Sequence, residues 1–226
     1  MEKNGIRPRI AFVHTVAGLV EMFRPLAVDE LPGEDVFHIL NESLLQDLLR
    51  EGESPAITQR IVRQAMLAAD TGAGLVVFTC SSTSPAIDAA RLMTDVPIIK
   101  IDDPMARKAV SIGGRIAIVC TTQSTVGPST DLVKAHAEVA GKTVMVETRW
   151  VEGAFDALAA GRRDEHDVLV SAAAREIAPR ADVIVLAQAS LAHLRDPLAA
   201  TLAVPVLSSP PLLIEELRRH LAAMRV

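Results

Sequence analysis

The sequence predicts an α/β protein of two similar lobes, each built on a four-stranded parallel sheet. An active-site cleft lined by strand ends is expected between them. Short apolar runs of strand length alternate with segments of helical period along the whole chain. That alternation is the mark of parallel strands joined by crossover helices. The pattern also repeats. Ile10-Ala11 recurs as Ile116-Ala117, 106 residues on, and Val96-Pro97 recurs as Val204-Pro205, 108 residues on. Val77-Phe78 is matched by Val185-Leu186 at the same spacing of 108. A half used twice in the same strand order is an internal repeat. Finally, the apolar runs break into small polar residues at their carboxyl ends, where open α/β sheets hold ligands.

In the first half, 9–16 reads as strand one, ending in His14 and Thr15. A short helix over 18–29 and a turn at 31–34 lead to strand two, 35–40, which closes on Asn41-Glu42-Ser43. The helix expected over 54–71 has Ser54 as its N-cap and Pro55 at the first helical position. Its residues Ile57, Ile61, Val62, Ala65 and Ala69 keep a helical period. Strand three follows the turn at Gly72 and carries Cys80 at its polar end. The helix expected over 85–92 again has proline in its first turn. Strand four, 95–102, and a helix from Pro104 to Gly113 complete the half.

In the second half, 114–122 reads like strand one. A helix over 129–140 ends at Gly141, a residue suited to a helix C-terminus. A strand over 142–150 comes next, then helices over 153–161 and 164–179. Strands over 182–190 and 203–210 follow, and a closing helix spans 214–224. In that last helix Leu213, Ile214, Leu217, Leu221 and Met224 define one apolar face, and Arg218, Arg219 and Arg225 point to water. The lobes are expected to comprise 1–102 with 208–226, and 103–207.

Composition narrows the function. The formal net charge is −5 with no basic stripe, so a nucleic-acid partner is not expected. Five Phe, one Trp and no Tyr are too few for base-stacking platforms. Two cysteines in 226 residues make no disulfide framework, and a reducing cytoplasm fits. The first five residues lack a signal-type apolar region, and no apolar run reaches the ~18 residues of a membrane span. The chain has no CxxC, HExxH, GxGxxG or P-loop motif. The classical zinc, dinucleotide and phosphoryl-transfer signatures are thus missing.

Cys80 is the first candidate for chemistry. It follows an apolar strand and precedes the hydroxyl cluster Ser81-Ser82-Thr83-Ser84 at a helix start. Helix N-termini favour anions and lower thiol pKa values. The repeat sets His14 against Cys120, Thr15 against Thr121, and Cys80 against Gln188. Thr121, Thr122 and Thr125 with the following helix start would offer hydroxyls and backbone N–H groups to a carboxylate. Arg149 is the one cation at a predicted strand end, so anion binding would rest on neutral donors. Asn41 and Ser43 reach the cleft rim in this reading, and Ser190 closes the seventh strand. His38 reads as packed, His166-Asp167 as a helix cap, and His136, His193 and His220 as structural.

The segments Ile10-Ala11-Phe12-Val13-His14-Thr15, Val77-Phe78-Thr79-Cys80-Ser81-Ser82, Val119-Cys120-Thr121-Thr122-Gln123-Ser124-Thr125-Val126 and Ile184-Val185-Leu186-Ala187-Gln188-Ala189-Ser190 together resemble the aspartate/glutamate racemase superfamily. That superfamily includes hydantoin racemases, maleate isomerases and arylmalonate decarboxylases. The resemblance covers the whole chain. It implies a pseudo-symmetric pair of flavodoxin-like lobes, with the C-terminal segment returning to the first lobe. It also implies a cofactor-independent enzyme, with one cysteine from each lobe on opposite faces of a substrate α-carbon.

Cys80 matches the first of those cysteines, whereas Gln188 stands at the second and cannot usefully exchange protons near neutral pH. This departure counts against racemisation by a cysteine pair. Cys120 reads first as a small apolar residue at a strand end and second as a replacement base. The expectation is a racemase- or isomerase-type enzyme acting on a small carboxylate or related carbonyl compound. Cys80 would be its acid/base thiol, and His14, Thr15, Asn41, Ser81, Ser82, Cys120, Thr121, Thr122, Thr125, Gln188 and Ser190 would bind substrate. A one-cysteine decarboxylase, a cis–trans isomerase and a non-catalytic small-acid binding protein stay open as alternatives. A homo-oligomer is expected.

Overall fold

A computed structural model describes residues 8–224. The expectations for the first five residues and for Arg225 fall outside that range. The chain divides into two compact units, 1–100 with 214–226, and 101–213.

In the first unit, β1 (Arg9–His14), β2 (Val36–Leu40), β3 (Ala73–Phe78) and β4 (Ile98–Lys100) form one sheet in the order β2-β1-β3-β4. All three pairings are parallel. Five helices connect the strands: α1 (Ala17–Glu30), α2 (Glu42–Glu51), α3 (Pro55–Asp70), α4 (Ser84–Arg91) and α5 (Asp103–Ile112), the last already in the second unit. A 3-10 turn, Ser81–Thr83, stands between β3 and α4.

The second unit repeats this plan. Its strands β5 (Arg115–Cys120), β6 (Met145–Trp150), β7 (Val183–Leu186) and β8 (Val206–Ser208) pair in parallel in the order β6-β5-β7-β8. Here α6 (Gln123–Val139), α7 (Ala154–Ala159), α8 (Arg163–Ile177) and α9 (Arg195–Ala199) accompany the strands, and the closing α10 (Ser209–Met224) starts in this unit and has 214–224 in the first.

The repeat is exact in register, because Val13 pairs with Phe78 as Val119 pairs with Leu186, and Val76 pairs with Ile98 as Ile184 pairs with Val206. The sheet spacings are thus the 106- and 108-residue spacings of the sequence.

Alternate strand residues feed opposite layers, since successive side chains of a strand point to opposite faces. Ala11, Val13, Val76 and Phe78 pack with Ile57, Ile61, Ala65 and Ala68 of α3 and with Ile87 and Ala90 of α4. On the other face Phe12 packs at a tilt against Phe23 of α1, ring centroids 5.5 Å apart. Ala117, Val119, Ile184 and Leu186 pack with Val170, Ala174 and Ile177 of α8. Ile116, Ile118 and Cys120 pack with Met105 and Ala109 of α5 and with Leu132 and Val133 of α6.

Helix α9 has no counterpart in the sequence reading, and helix boundaries differ from it in three further places. The reading contained no helix over α2, although its signals are present: Asn41 at the N-cap, acidic Glu42 in the first turn, Arg50 in the last and Gly52 just beyond at φ 74°. Leu44 and Leu48, one turn apart, are its buried face. The next difference is in α6, which starts six residues earlier than expected and runs through Pro128. An interior proline costs about 3 kcal/mol, and burial of Thr125, Ser129, Leu132, Val133 and Ala137 on one face offsets it. Finally, α10 starts at Ser209 because Pro210 and Pro211 fall in its first turn, where N–H groups have no helical partner. Leu213, Ile214, Leu217 and Leu221 of its expected apolar face are buried, whereas Met224 is exposed. Arg218 Nε donates to the Glu30 carbonyl at 3.0 Å, which ties α10 to α1.

Candidate active site

In each sheet the first strand of the unit is flanked by strands that come later in the chain, so the connections leave it in opposite directions. Such a switch point opens a crevice at the strand carboxyl ends. The first unit has His14, Thr15, Thr79 and Cys80 there. The second has Cys120, Thr121, Thr122 and Gln188.

Cys80 lies two residues beyond the end of β3 and heads the 3-10 turn with extended backbone, φ −117° and ψ 115°. Its carbonyl accepts from the Thr83 amide at 3.2 Å and from Thr83 Oγ1 at 2.7 Å. Ser81, Ser82, Thr83 and Ser84 are all buried, so the hydroxyl cluster is interior rather than a solvated loop. Gln188 holds the matching place after β7, with φ −145° and ψ 138°, and heads a 3-10 turn over 189–194. The Thr79 amide donates to Val13 O at 3.1 Å, and the Ala187 amide donates to Val119 O at 3.0 Å. The two strand ends are therefore built alike, and they differ chemically in carrying a thiol and an amide.

The Gln188 side chain is fixed. Its Oε1 accepts from the Thr121 amide at 2.5 Å and from Thr121 Oγ1 at 2.9 Å, while Nε2 donates to Thr122 Oγ1 at 3.4 Å. Thr122 and Thr125 share a hydroxyl hydrogen bond of 2.7 Å. Trp150 Nε1 donates to the Thr121 carbonyl at 3.3 Å. This network presents an oriented, neutral carboxamide at the start of α6. Ser190, in the turn that Gln188 heads, gives its carbonyl to His193 Nδ1 at 3.0 Å.

His14 is fully buried at the end of β1, stacks on Phe12 and packs at a tilt against Phe23. Its Nδ1 is 2.8 Å from Thr79 Oγ1, and its Nε2 is 2.9 Å from His38 Nδ1. Thr79 Oγ1 donates to Val13 O at 3.2 Å. With that hydroxyl proton committed, His14 carries its own proton on Nδ1 and accepts at Nε2 from His38. A directed chain thus runs from His38 on the edge strand through His14 to Thr79, the residue before Cys80. Burial pushes His14 down to about 3, with His38 and the Arg24 guanidinium adding to the effect. His38 is lowered by the same burial and by Arg24. Both imidazoles are neutral at physiological pH, and His14 meets any ligand only through its neighbours because both of its nitrogens are bonded.

Thr15 is buried and its Oγ1 has no hydrogen-bond partner among the described residues. Asn41 is occupied: Nδ2 donates to Gln64 Oε1 at 3.0 Å, and Oδ1 accepts from Ser43 Oγ at 2.7 Å. Cys120 is fully buried in the α5/α6 layer, with Arg149 O 3.9 Å from Sγ. Burial pushes its thiol up to about 12. That is the packing and acidity of apolar filler, not of a base working near neutrality.

Sequence reasoning missed Thr79 and treated His38 as packing. The signal for Thr79 was its place as the first polar residue after β3, one step past the Val13–Phe78 pair. No sequence signal pointed to Trp150.

The model of the family described as Asp/Glu/Hydantoin racemase matches residues 7–217. Among solved structures, glutamate racemase isoform RacE1 from Bacillus anthracis superposes with a TM-score of 0.73 at 17% identity, over 96% of this chain and 82% of that one. Allantoin racemase from Klebsiella pneumoniae gives 0.68 at 17% identity, over 96% and 88%. A variant of arylmalonate decarboxylase with an associated sulfate ion gives 0.59 at 19% identity, over 95% and 94%. A comparison with curated proteins finds no match. The solved structures share the fold with this chain; the family model, matched over nearly its whole length, shows that the chain belongs to the Asp/Glu/hydantoin racemase family.

Proposed function

We propose that the protein is a cofactor-independent enzyme acting at the α-carbon of a small carboxylate or related carbonyl compound, with Cys80 as its acid/base thiol. The observation that carries this reading is the position of Cys80 at the β1/β3 switch point, heading a turn of buried hydroxyls. A thiolate there takes the α-proton and becomes the thiol, leaving an enolate-like carbanion. Hydroxyl and amide donors of the Ser81-Ser82 segment receive the developing negative charge. Cys80 then returns the proton. Positioned acid/base groups of this kind contribute on the order of 10²–10⁴ in rate.

Gln188 favours a one-base version of this chemistry. In a decarboxylase the carbon–carbon bond to a carboxylate breaks, carbon dioxide leaves, and the Cys80 thiol protonates the carbanion. A cis–trans isomerase uses the same thiol as nucleophile. The named activities of the structural relatives supply the test panel: amino acids, allantoin and other hydantoins, and arylmalonates, with maleate added.

Incubation in D₂O followed by NMR reads both α-proton exchange and loss of carbon dioxide. One-face exchange or one-face protonation, abolished in Cys80→Ala, is the expected result. Full racemisation retained in Cys80→Ala would overturn the assignment. Ligand binding with no exchange or turnover of any bound compound would favour a small-acid binding protein.

A further inference from the structure

His166, Asp167 and His193 have no part in the chemistry above, yet they converge. His166 and Asp167 stand near the start of α8, and His193 stands in the turn headed by Gln188. Asp167 Oδ1 is 2.7 Å from His166 Nδ1 and 2.8 Å from His193 Nε2. One donor atom from each of the three residues lies within 4.8 Å of the others. The two rings stack with centroids 6.2 Å apart.

Two features separate this cluster from an ordinary surface pair. His193 Nδ1 lies 3.0 Å from the Ser190 carbonyl, which can only accept, so that nitrogen holds a proton. In the neutral ring Nε2 would then turn a lone pair toward a carboxylate oxygen. A proton or a metal ion must therefore lie between His193 Nε2 and Asp167 Oδ1. Beyond this, His166 is fully buried, and its Nε2 has no partner among the described residues. A proton on His193 would satisfy the first feature alone. A metal ion would use all three side chains, which accounts for bringing a buried second imidazole to the same oxygen.

We propose that His166, Asp167 and His193 form a binding site for a first-row divalent cation of the zinc class. Two imidazoles and a carboxylate are a donor set for such ions, with a further position left for water. The Ser190 carbonyl is the outer partner that fixes the tautomer of a ligating histidine. Protons balance as follows. His166 shifts its proton from Nδ1 to Nε2, His193 releases the one on Nε2, and Asp167 binds as the carboxylate. Tetrahedral metal–ligand bonds need donors about 3.3 Å apart. The contacts open by roughly half an ångström to reach this, through movement of the partly exposed His193 turn. The bound ion fastens α8 to the turn that begins at Gln188.

The full chain, freed of metal by a chelator, is titrated with Zn²⁺ by calorimetry and with Co²⁺ by visible absorption. One ion per chain is expected, with release of up to one proton. His193→Ala and Asp167→Asn, checked for fold by circular dichroism, each weaken binding at least about tenfold. His136→Ala leaves binding unchanged. Failure of the wild-type chain to bind Zn²⁺ one-to-one overturns the proposal, and so does undiminished binding in either folded variant.

Discussion

The buried His14 makes the stability of the first unit depend on pH in a calculable way. Its folded-state pKa is about 3, against 6.5 for the free side chain. A lowered histidine pKa means that the unfolded chain binds the proton and the folded one does not. Stability is therefore full above about pH 6.5 and falls with pH until about 3, where the folded form protonates as well. At pH 5 the protonated unfolded form outnumbers the neutral one by about thirty to one, while folded His14 stays neutral. The loss between pH 8 and pH 5 is then about 2 kcal/mol. His38, lowered by the same causes, acts in the same direction. Urea unfolding of the wild type and of His14→Gln at pH 5, 6 and 8 measures this. The variant is less stable than wild type at pH 8 because it breaks the chain to Thr79 and His38, but its pH dependence is flatter by about 2 kcal/mol over this range. Equal slopes for the two proteins would refute the assignment of His14 as a buried neutral imidazole.

Further outcomes follow from other sites. Ser54→Ala removes the hydroxyl that accepts from the Ile57 amide at 3.3 Å; the expected loss is about 1 kcal/mol in urea unfolding. Gly113→Ala places a Cβ 2.4 Å from Asp182 Cβ. It displaces the carboxylate that accepts from the Gly114 and Arg115 amides, and overpacking of this kind costs about 1–3 kcal/mol. Iodoacetamide at pH 7.5, followed by peptide mass spectrometry, should label Cys80 in the folded protein. Cys120, with its thiol pushed up to about 12, should react only after unfolding.

Much of the architecture was legible because it is written locally. Alternating apolar runs specify the strands, and Ser54-Pro55 specifies the start of α3. The 106- and 108-residue spacings reappear as sheet register because both halves put the same strand positions in contact. The place of Cys80 at a polar strand end was also readable, since a strand that leaves the sheet must stop being apolar. Helix α2 was legible too, through Asn41, Glu42, Arg50 and Gly52, although a reading built on strand ends passed over it.

Tertiary structure alone decided which side chains meet. His14 finds His38 and Thr79, 24 and 65 residues away, only because β2 and β3 flank β1 in parallel register. Cys120 occupies the strand position that corresponds to His14, yet it faces the aliphatic layer of α5 and α6, where burial opposes the thiolate. Pro128 sits inside a helix because packing over its 17 residues outweighs one missing hydrogen bond. His166-Asp167 reads in sequence as a helix start, and only the turn after β7 brings His193 onto the same carboxylate oxygen. Periodicity and capping arise from neighbours along the chain and can be read from it. Protonation states and ligand sets arise from neighbours across strands and turns, where burial and register, not sequence spacing, set the distances.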